Sequence, residues 1–94
     1  MFIIATFDTM INMDNVEKIE LIDYGHYSDI QAITNNKSHL IYRNNDISVT
    51  KDVFDYIHKA IREGFTSILI EYNTDFVQVY DSELGKYFTW NLEV

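Results

Sequence analysis

Histidine is the side chain that most often exchanges protons near neutral pH, and this chain has three, His26, His39 and His58. Their spacings of 13 and 19 residues match no common helix-based zinc pattern. The chain has no cysteine, which excludes disulfides, thiolate metal sites and thiol nucleophiles. We therefore predict that the histidines are surface or half-buried residues. A nuclease-like pair of His26 and His39, brought together across strands, is the catalytic alternative.

Phosphate-binding loops need several glycines close to the start of a helix. This chain has only Gly25, Gly64 and Gly85, which lie far apart in the sequence. A nucleotide-phosphate site is not expected. The sequence thus favours a non-enzymatic protein without a catalytic residue, a metal ion or a cofactor.

Acidic side chains are concentrated in the two terminal segments of the chain. The net charge of −8 divides into −5 over residues 1–29, +1 over residues 30–70 and −4 over residues 71–94. An acidic surface disfavours nucleic acid as a direct ligand and favours a basic protein partner. We expect the carboxylates of both segments to converge in one contact zone.

Tyrosine is abundant, with seven residues, and alternates with carboxylates in the last third of the chain. Tyrosine packs well in strands, but it is also enriched in the centres of protein interfaces. The first predicted partner-binding patch consists of Glu71, Tyr72, Asp75, Tyr80, Asp81 and Glu83. The second consists of Asp14, Glu17 and Glu20, for which a solvated strand edge is the alternative.

One amphipathic helix is predicted over residues 51–63. Thr50 is a suitable N-cap, and Gly64 stands where a left-handed C-terminal residue is expected. Helical spacing predicts one buried face made of Val53, Ile57, Ala60 and Ile61.

The rest of the chain has the composition and alternation of β-strands. Connections are mostly too short for parallel crossovers, so we predict a largely antiparallel sheet with the helix packed on one face. A helix that closes a small barrel is the alternative. Residues 1–94 are predicted to form a single α+β domain with the order β-β-β-β-α-β-β-β. The predicted strands are 2–7, 16–23, 29–34, 39–43, 67–72, 76–80 and 86–92.

Targeting signals are not apparent in the sequence. The N-terminus MFIIATFDTM has no positive region, and its apolar run is too short for a secretory signal. No stretch approaches the roughly 20 apolar residues of a membrane span. We expect a soluble protein in the cytoplasm of a bacterial host.

The chain resembles the small acidic proteins that phages and mobile elements of low-GC bacteria encode, including anti-CRISPR proteins. The resemblance lies in the length, the acidic ends, the segment MFIIATFDTMINMDNVEKIELID as an N-terminal hairpin, and the single helix VFDYIHKAIREG. It implies a protein that binds and disables a host defence nuclease. Duplex DNA carries one charge per about 1.7 Å, so a net charge of −8 matches only a short stretch of its backbone.

Three other functions stay open at this point. An immunity protein or antitoxin against a basic nuclease would use the same acidic chemistry. A structural module would pair an exposed strand with a second copy and form a homodimer. A small His/Asp-dependent nuclease ranks last, because enzymes acting on polyanions usually present a basic surface.

Overall fold

The structure, a computed structural model, describes residues 1–6 and 8–92 and has the predicted α+β architecture. A short 3-10 helix spans Met13–Asn15, and the single α-helix, α1, spans Ile47–Arg62. The strands are β1 (Ile3–Ala5), β2 (Met10–Asn12), β3 (Lys18–Asp23), β4 (Ser28–Thr34), β5 (Lys37–Asn44), β6 (Ser67–Leu69), β7 (Phe76–Asp81) and β8 (Lys86–Asn91).

The strands form two sheets, where the sequence predicted one. The first has the order β2-β1-β6-β7-β8, and the second is the meander β3-β4-β5. All pairs are antiparallel except β1 with β6, which is parallel. The prediction of largely antiparallel pairing is therefore confirmed, with one parallel pair inside the larger sheet.

Strand β2 is absent from the predicted order, so five strands precede the helix instead of four. The N-terminal hairpin joins β1 to β2 in the register Ile4↔Ile11, whereas residues 16–23 supply β3 of the other sheet. Three residues are too few to show the alternation by which a strand is recognised. The predicted strand 2–7 is shorter in the structure, and its position 7 lies outside the described residues.

The helix begins one turn earlier than predicted. The Asp46 carboxylate accepts a hydrogen bond from the Ser48 amide at 2.9 Å, so Asp46 is the N-cap. The prediction of Thr50 is wrong, because its hydroxyl is buried and accepts a 2.6 Å hydrogen bond from Ser28 of β4. Aspartate and threonine both suit the N-cap, and only the packed structure distinguishes them.

The C-terminus of the helix is the one that the sequence predicts. Gly64 has a φ of 82°, and its amide donates to the Ile61 carbonyl. The Phe65 amide donates to the Ala60 carbonyl, which completes a Schellman motif.

The core lies between the inner faces of the two sheets and the helix. Ile61, predicted to be buried, is 45% exposed, because at 100° per residue it lies about 120° around the helix from Val49. It therefore falls beyond the rim of the buried face. The core consists of Ile4, Ile11, Ile30, Ala32, Ile41, Tyr42, Val49, Val53, Ile57, Ala60, Ile68, Ile70, Val77, Val79 and Leu92.

The strand directions bring four connections to one end of the molecule. Because β1 and β6 are parallel, the β1–β2 and β6–β7 loops lie at the same end of the strands of the larger sheet. In the meander, the β3–β4 loop and the β5–α1 junction also lie at one end of the strands. The ring of Tyr72 stacks on Tyr42 at 5.8 Å and so brings these two ends together.

Candidate functional site

Negative charge accumulates at the end of the molecule where these four connections meet, which we call the acidic end. Among the residues that the structure describes, six carboxylates lie there with one guanidinium, giving a net charge of −5. The positions come from both terminal segments and from the middle of the chain. The acidic end consists of Asp8, Asp23, Asp29, Asp46, Glu71, Asp75 and Arg43.

The opposite end, which we call the balanced end, has five carboxylates and five basic side chains within the described part of the chain. Its charges belong to the β2–β3, β4–β5, α1–β6 and β7–β8 connections, to the strand residues next to them and to the last helical turn. The net charge there is zero. The balanced end consists of Asp14, Glu17, Glu63, Asp81, Glu83, Lys18, Lys37, Lys59, Arg62 and Lys86.

An ion pair between neighbouring strands organises the acidic end. Arg43 of β5 donates from Nε and Nη2 to the two carboxylate oxygens of Asp29, at 2.7 and 2.9 Å. The Asp29 side chain is buried, while that of Arg43 is 49% exposed. The hydrogen bonds from Arg43 hold the pKa of Asp29 below its ordinary value, and the Arg43 pKa is raised in turn by Asp29.

Tyrosine rings surround this ion pair. The Arg43 guanidinium lies 4.4 Å from the centre of the Tyr27 ring, and Tyr24 packs against Tyr27 at 5.0 Å. Tyr72 approaches from the β6–β7 loop, where burial and then the nearby Asp8 carboxylate raise the pKa of its phenol. The acidic end therefore presents aromatic faces next to carboxylates, a combination that suits arginine and lysine side chains.

An open groove runs between the β5–α1 junction and the β6–β7 loop. Asn44 and Asn73 line it from the two sides, and Asp75 contributes a carboxylate. The larger part of the groove has a volume of 620 Å³. It is wide enough for a side chain from a partner.

The structure divides the first predicted patch between the two ends. The acidic end has Glu71, Tyr72 and Asp75, which precede β7. Asp81 is the last residue of β7. Six residues at about 3.3 Å each separate Asp75 from Asp81 by about 20 Å. The other members, Tyr80 and Glu83, accompany Asp81 at the balanced end. The expectation that all six form one patch is wrong.

The second predicted patch also lies away from the acidic end. Asp14 is in the 3-10 helix and Glu17 just precedes β3, both exposed at the balanced end. Glu20 of β3 pairs with Lys18 at 2.8 Å. Neighbouring lysines therefore offset these carboxylates.

The carboxylates of the acidic end differ in their partners. Asp46 caps the helix, and the Asp23 carboxylate accepts from the Gly25 amide at 2.8 Å. Among the described residues, the side chains of Glu71 and Asp75 have no hydrogen-bond or ion-pair partner. Both are exposed, so these two are the carboxylates best placed to meet another molecule.

Seven residues at the acidic end were not predicted as site residues, and each lies near the end of a strand or in a connection. They could have been found by locating which loops lie at the same end of the sheets, which requires the strand order. The seven are Asp8, Asp23, Tyr24, Tyr27, Asp29, Arg43 and Asp46.

The structure does not bring His26 and His39 together. His26 is in the β3–β4 loop, whereas His39 lies five strand residues from Asn44, about 17 Å along β5. The His39 Nε2 atom lies 2.9 Å from the Thr34 hydroxyl, and His58 is exposed on the helix. Within residues 1–6 and 8–92, no group of three His, Asp or Glu side chains is arranged to hold a metal ion.

No protein-family model, curated protein or solved structure matches this chain. Within the described part of the chain, no helix has the length and apolar character needed to cross a membrane. The charges and rings of the acidic end therefore carry the functional inference by themselves.

Proposed function

We propose that this protein is a non-enzymatic inhibitor whose acidic end occupies a basic, nucleic-acid-binding cleft of a partner protein. The partner is a nuclease or an effector complex, as the resemblance to anti-CRISPR proteins implies. The observation that supports this proposal is the separation of charge, −5 at one end and zero at the other.

Such a separation orients the molecule as it approaches a basic surface. The field of the acidic end accelerates encounter, and its effect declines beyond the Debye length of about 8 Å at physiological salt. Exposed carboxylates then meet basic side chains directly, while Tyr24 and Tyr72 offer ring faces to them. We expect binding that weakens as salt is added.

The amount of charge defines how much nucleic acid the acidic end replaces. At one charge per about 1.7 Å of duplex, a net charge of −5 corresponds to about 9 Å of the helix axis. The acidic end thus fits a local pocket for a few phosphates, and not a whole duplex-binding channel.

Two double variants with the same net charge test the role of the acidic end. Glu71→Lys with Asp75→Lys, and Glu17→Lys with Glu83→Lys, both change the net charge from −8 to −4 at exposed positions. A nona-arginine peptide serves as the probe, with the dissociation constant measured by calorimetry at low salt. We expect at least about ten-fold weaker binding for the first variant and less than about three-fold for the second. Equal weakening would show that only the net charge matters.

Inhibition needs a separate test. The wild-type protein is immobilised and exposed to nuclease-treated bacterial lysate, and short duplex DNA is then added as a competitor. We expect a basic nucleic-acid-binding protein that DNA releases and that the Glu71/Asp75 variant fails to retain. A retained protein that DNA does not release would contradict occupation of a nucleic-acid-binding cleft.

A further inference from the structure

The four sheet edges of the described structure differ in how well they are protected against pairing with another strand. Strand β2 has only three residues, and β3 carries the exposed Lys18–Glu20 ion pair. Strand β5 has a bulge in its pairing with β4 and carries Arg43. Short length, charged side chains and bulges are the usual protections of an edge strand.

Strand β8 is the least protected of the four edges. It has six residues, pairs with β7 in an unbroken register, and is exposed at every position except the half-buried Trp90. Its single charged residue is Lys86, at the first position. Tyr87 is 71% exposed, which is unusual for a large ring on an edge.

The hydrogen-bond phase of the β7–β8 ladder shows which backbone groups of β8 point outward. The Leu92 amide donates to the Asp75 carbonyl at 2.7 Å, so this pair is a hydrogen-bonded one. Because such pairs alternate in an antiparallel ladder, Tyr87, Thr89 and Asn91 direct their N–H and C=O groups away from β7. In agreement, the Asn91 carbonyl accepts a hydrogen bond from the Tyr56 hydroxyl instead.

We infer that β8 pairs with β8 of a second copy of this chain, antiparallel and about a two-fold axis through Thr89. This register places Thr89 opposite Thr89 of the partner subunit, and Tyr87 opposite Asn91 of the partner subunit. All three outward-facing residues then lie in hydrogen-bonded positions. The Asn91 carbonyl, which already accepts from the Tyr56 hydroxyl, would use its second lone pair. On the inner face, Phe88 lies opposite Trp90 of the partner subunit, an aromatic pair of the kind that stabilises antiparallel strands.

The charges of β8 favour a second copy as the occupant. Two molecules with a net charge of −8 repel each other, so a self-contact needs a surface without opposed like charges. In the inferred register the two copies of Lys86 lie at opposite ends of the paired strands. They are about 20 Å apart, more than twice the Debye length.

The test measures mass against concentration by sedimentation equilibrium, from about 10 µM to about 1 mM, because a contact of two short strands is small. We expect the wild-type protein to form a dimer within this range. Thr89→Lys places two like charges opposite each other, and Thr89→Pro removes an outward N–H without removing a bond to β7. Each variant should weaken the dimer at least ten-fold.

The control variant is Gln78→Lys. Gln78 lies on β7 directly opposite Thr89, so the variant adds the same charge to the same face of the sheet, one strand away from the dimer contact. The two lysines would be about 14 Å apart across the dimer, so the variant should dimerise like the wild type. Circular dichroism checks that each variant is folded. A wild-type monomer at all concentrations, a dimer unaffected at Thr89, or equal weakening by Gln78→Lys would each overturn the inference.

This inference does not depend on the proposed function. The Glu71→Lys, Asp75→Lys variant changes loop residues that precede β7 and leaves β8 intact. It should therefore dimerise while losing the arginine peptide. A wild-type protein that dimerises but does not bind the peptide would support the β8 dimer and contradict the proposed function. A wild-type protein that binds the peptide as a monomer would do the reverse.

Discussion

Among the described residues, the acidic end and the balanced end contain nearly the same number of carboxylates, six and five, yet differ by five units of net charge. Four of these five units come from the basic residues, of which one lies at the first end and five at the second. In an acidic protein, the positions of lysine and arginine therefore decide where a negative surface exists. Counting carboxylates along the sequence does not show this.

The described residues form two ion pairs, which differ in burial. Asp29 at the acidic end is buried beneath Arg43. Lys18 of the balanced end and its partner Glu20, two residues further along β3, are 60% and 40% exposed. An exposed pair contributes little, because water competes for both charges. A buried carboxylate that loses its charged partner remains desolvated, and Asp29 would keep only the 3.3 Å hydrogen bond from the Gln31 side chain.

The largest effect on stability is expected when each ion pair is broken in its own variant and the two melting temperatures are compared. Arg43→Met leaves the Asp29 carboxylate buried without its two charge-assisted hydrogen bonds, and should lower the melting temperature by roughly 5–10 °C. Lys18→Met should change it by no more than about 1 °C. Differential scanning calorimetry at neutral pH measures both. Similar losses in the two variants would contradict the contrast in burial.

The pH dependence of stability should distinguish the same two pairs. The pKa of Asp29 is lowered by its hydrogen bonds to Arg43, so its contribution is present above the ordinary value of 3.8 and is lost as pH falls through the lower folded value. The pKa of Lys18 is raised by its hydrogen bond to Glu20. Its contribution is present below the ordinary value of 10.5 and is lost as pH rises through the folded value.

We therefore expect the melting temperature of the wild type to fall by several degrees between about pH 5 and about pH 2.5, and Asp29→Asn to flatten that decline. Lys18→Met should leave the acid side unchanged and affect only the alkaline side. Thermal unfolding across the pH range measures both. An acid decline that persists in full in Asp29→Asn would assign it to other carboxylates.

The fold class was predictable because helix and strand differ in their periodicity over long segments. The face of α1 formed by Val53, Ile57 and Ala60 and the left-handed Gly64 are local properties, and both are confirmed. Strand β2 was not predictable, because three residues become a strand only through pairing with β1. The division into two sheets is likewise a property of pairing, not of local sequence.

The candidate site was predictable only in part, for a physical reason. Glu71, Tyr72 and Asp75 are near each other in sequence, and one loop keeps them together. Asp81 follows in sequence, but a strand is extended and carries it to the opposite end. Asp8 joins Tyr72 only because β1 and β6 are parallel, which no local pattern reports.

The smallest effect concerns the two caps of α1, one at each end of the molecule. Asp46→Ala removes the hydrogen bond to the Ser48 amide and should cost about 1 kcal/mol. Gly64→Ala should cost a similar amount, because a φ of 82° is strained for alanine although no neighbour lies within 4 Å of the added Cβ. Urea unfolding, with the midpoint compared at a constant slope, measures both.

Asp46→Asn then separates the cap from the charge at the acidic end. Asparagine caps a helix about as well as aspartate, so stability should change by only a few tenths of a kcal/mol. Because Asp46 is one of six carboxylates there, and its oxygen faces the helix, arginine-peptide binding should weaken less than about three-fold. A loss as large as that of the Glu71/Asp75 variant would move the centre of the binding surface from the β6–β7 loop to the start of α1.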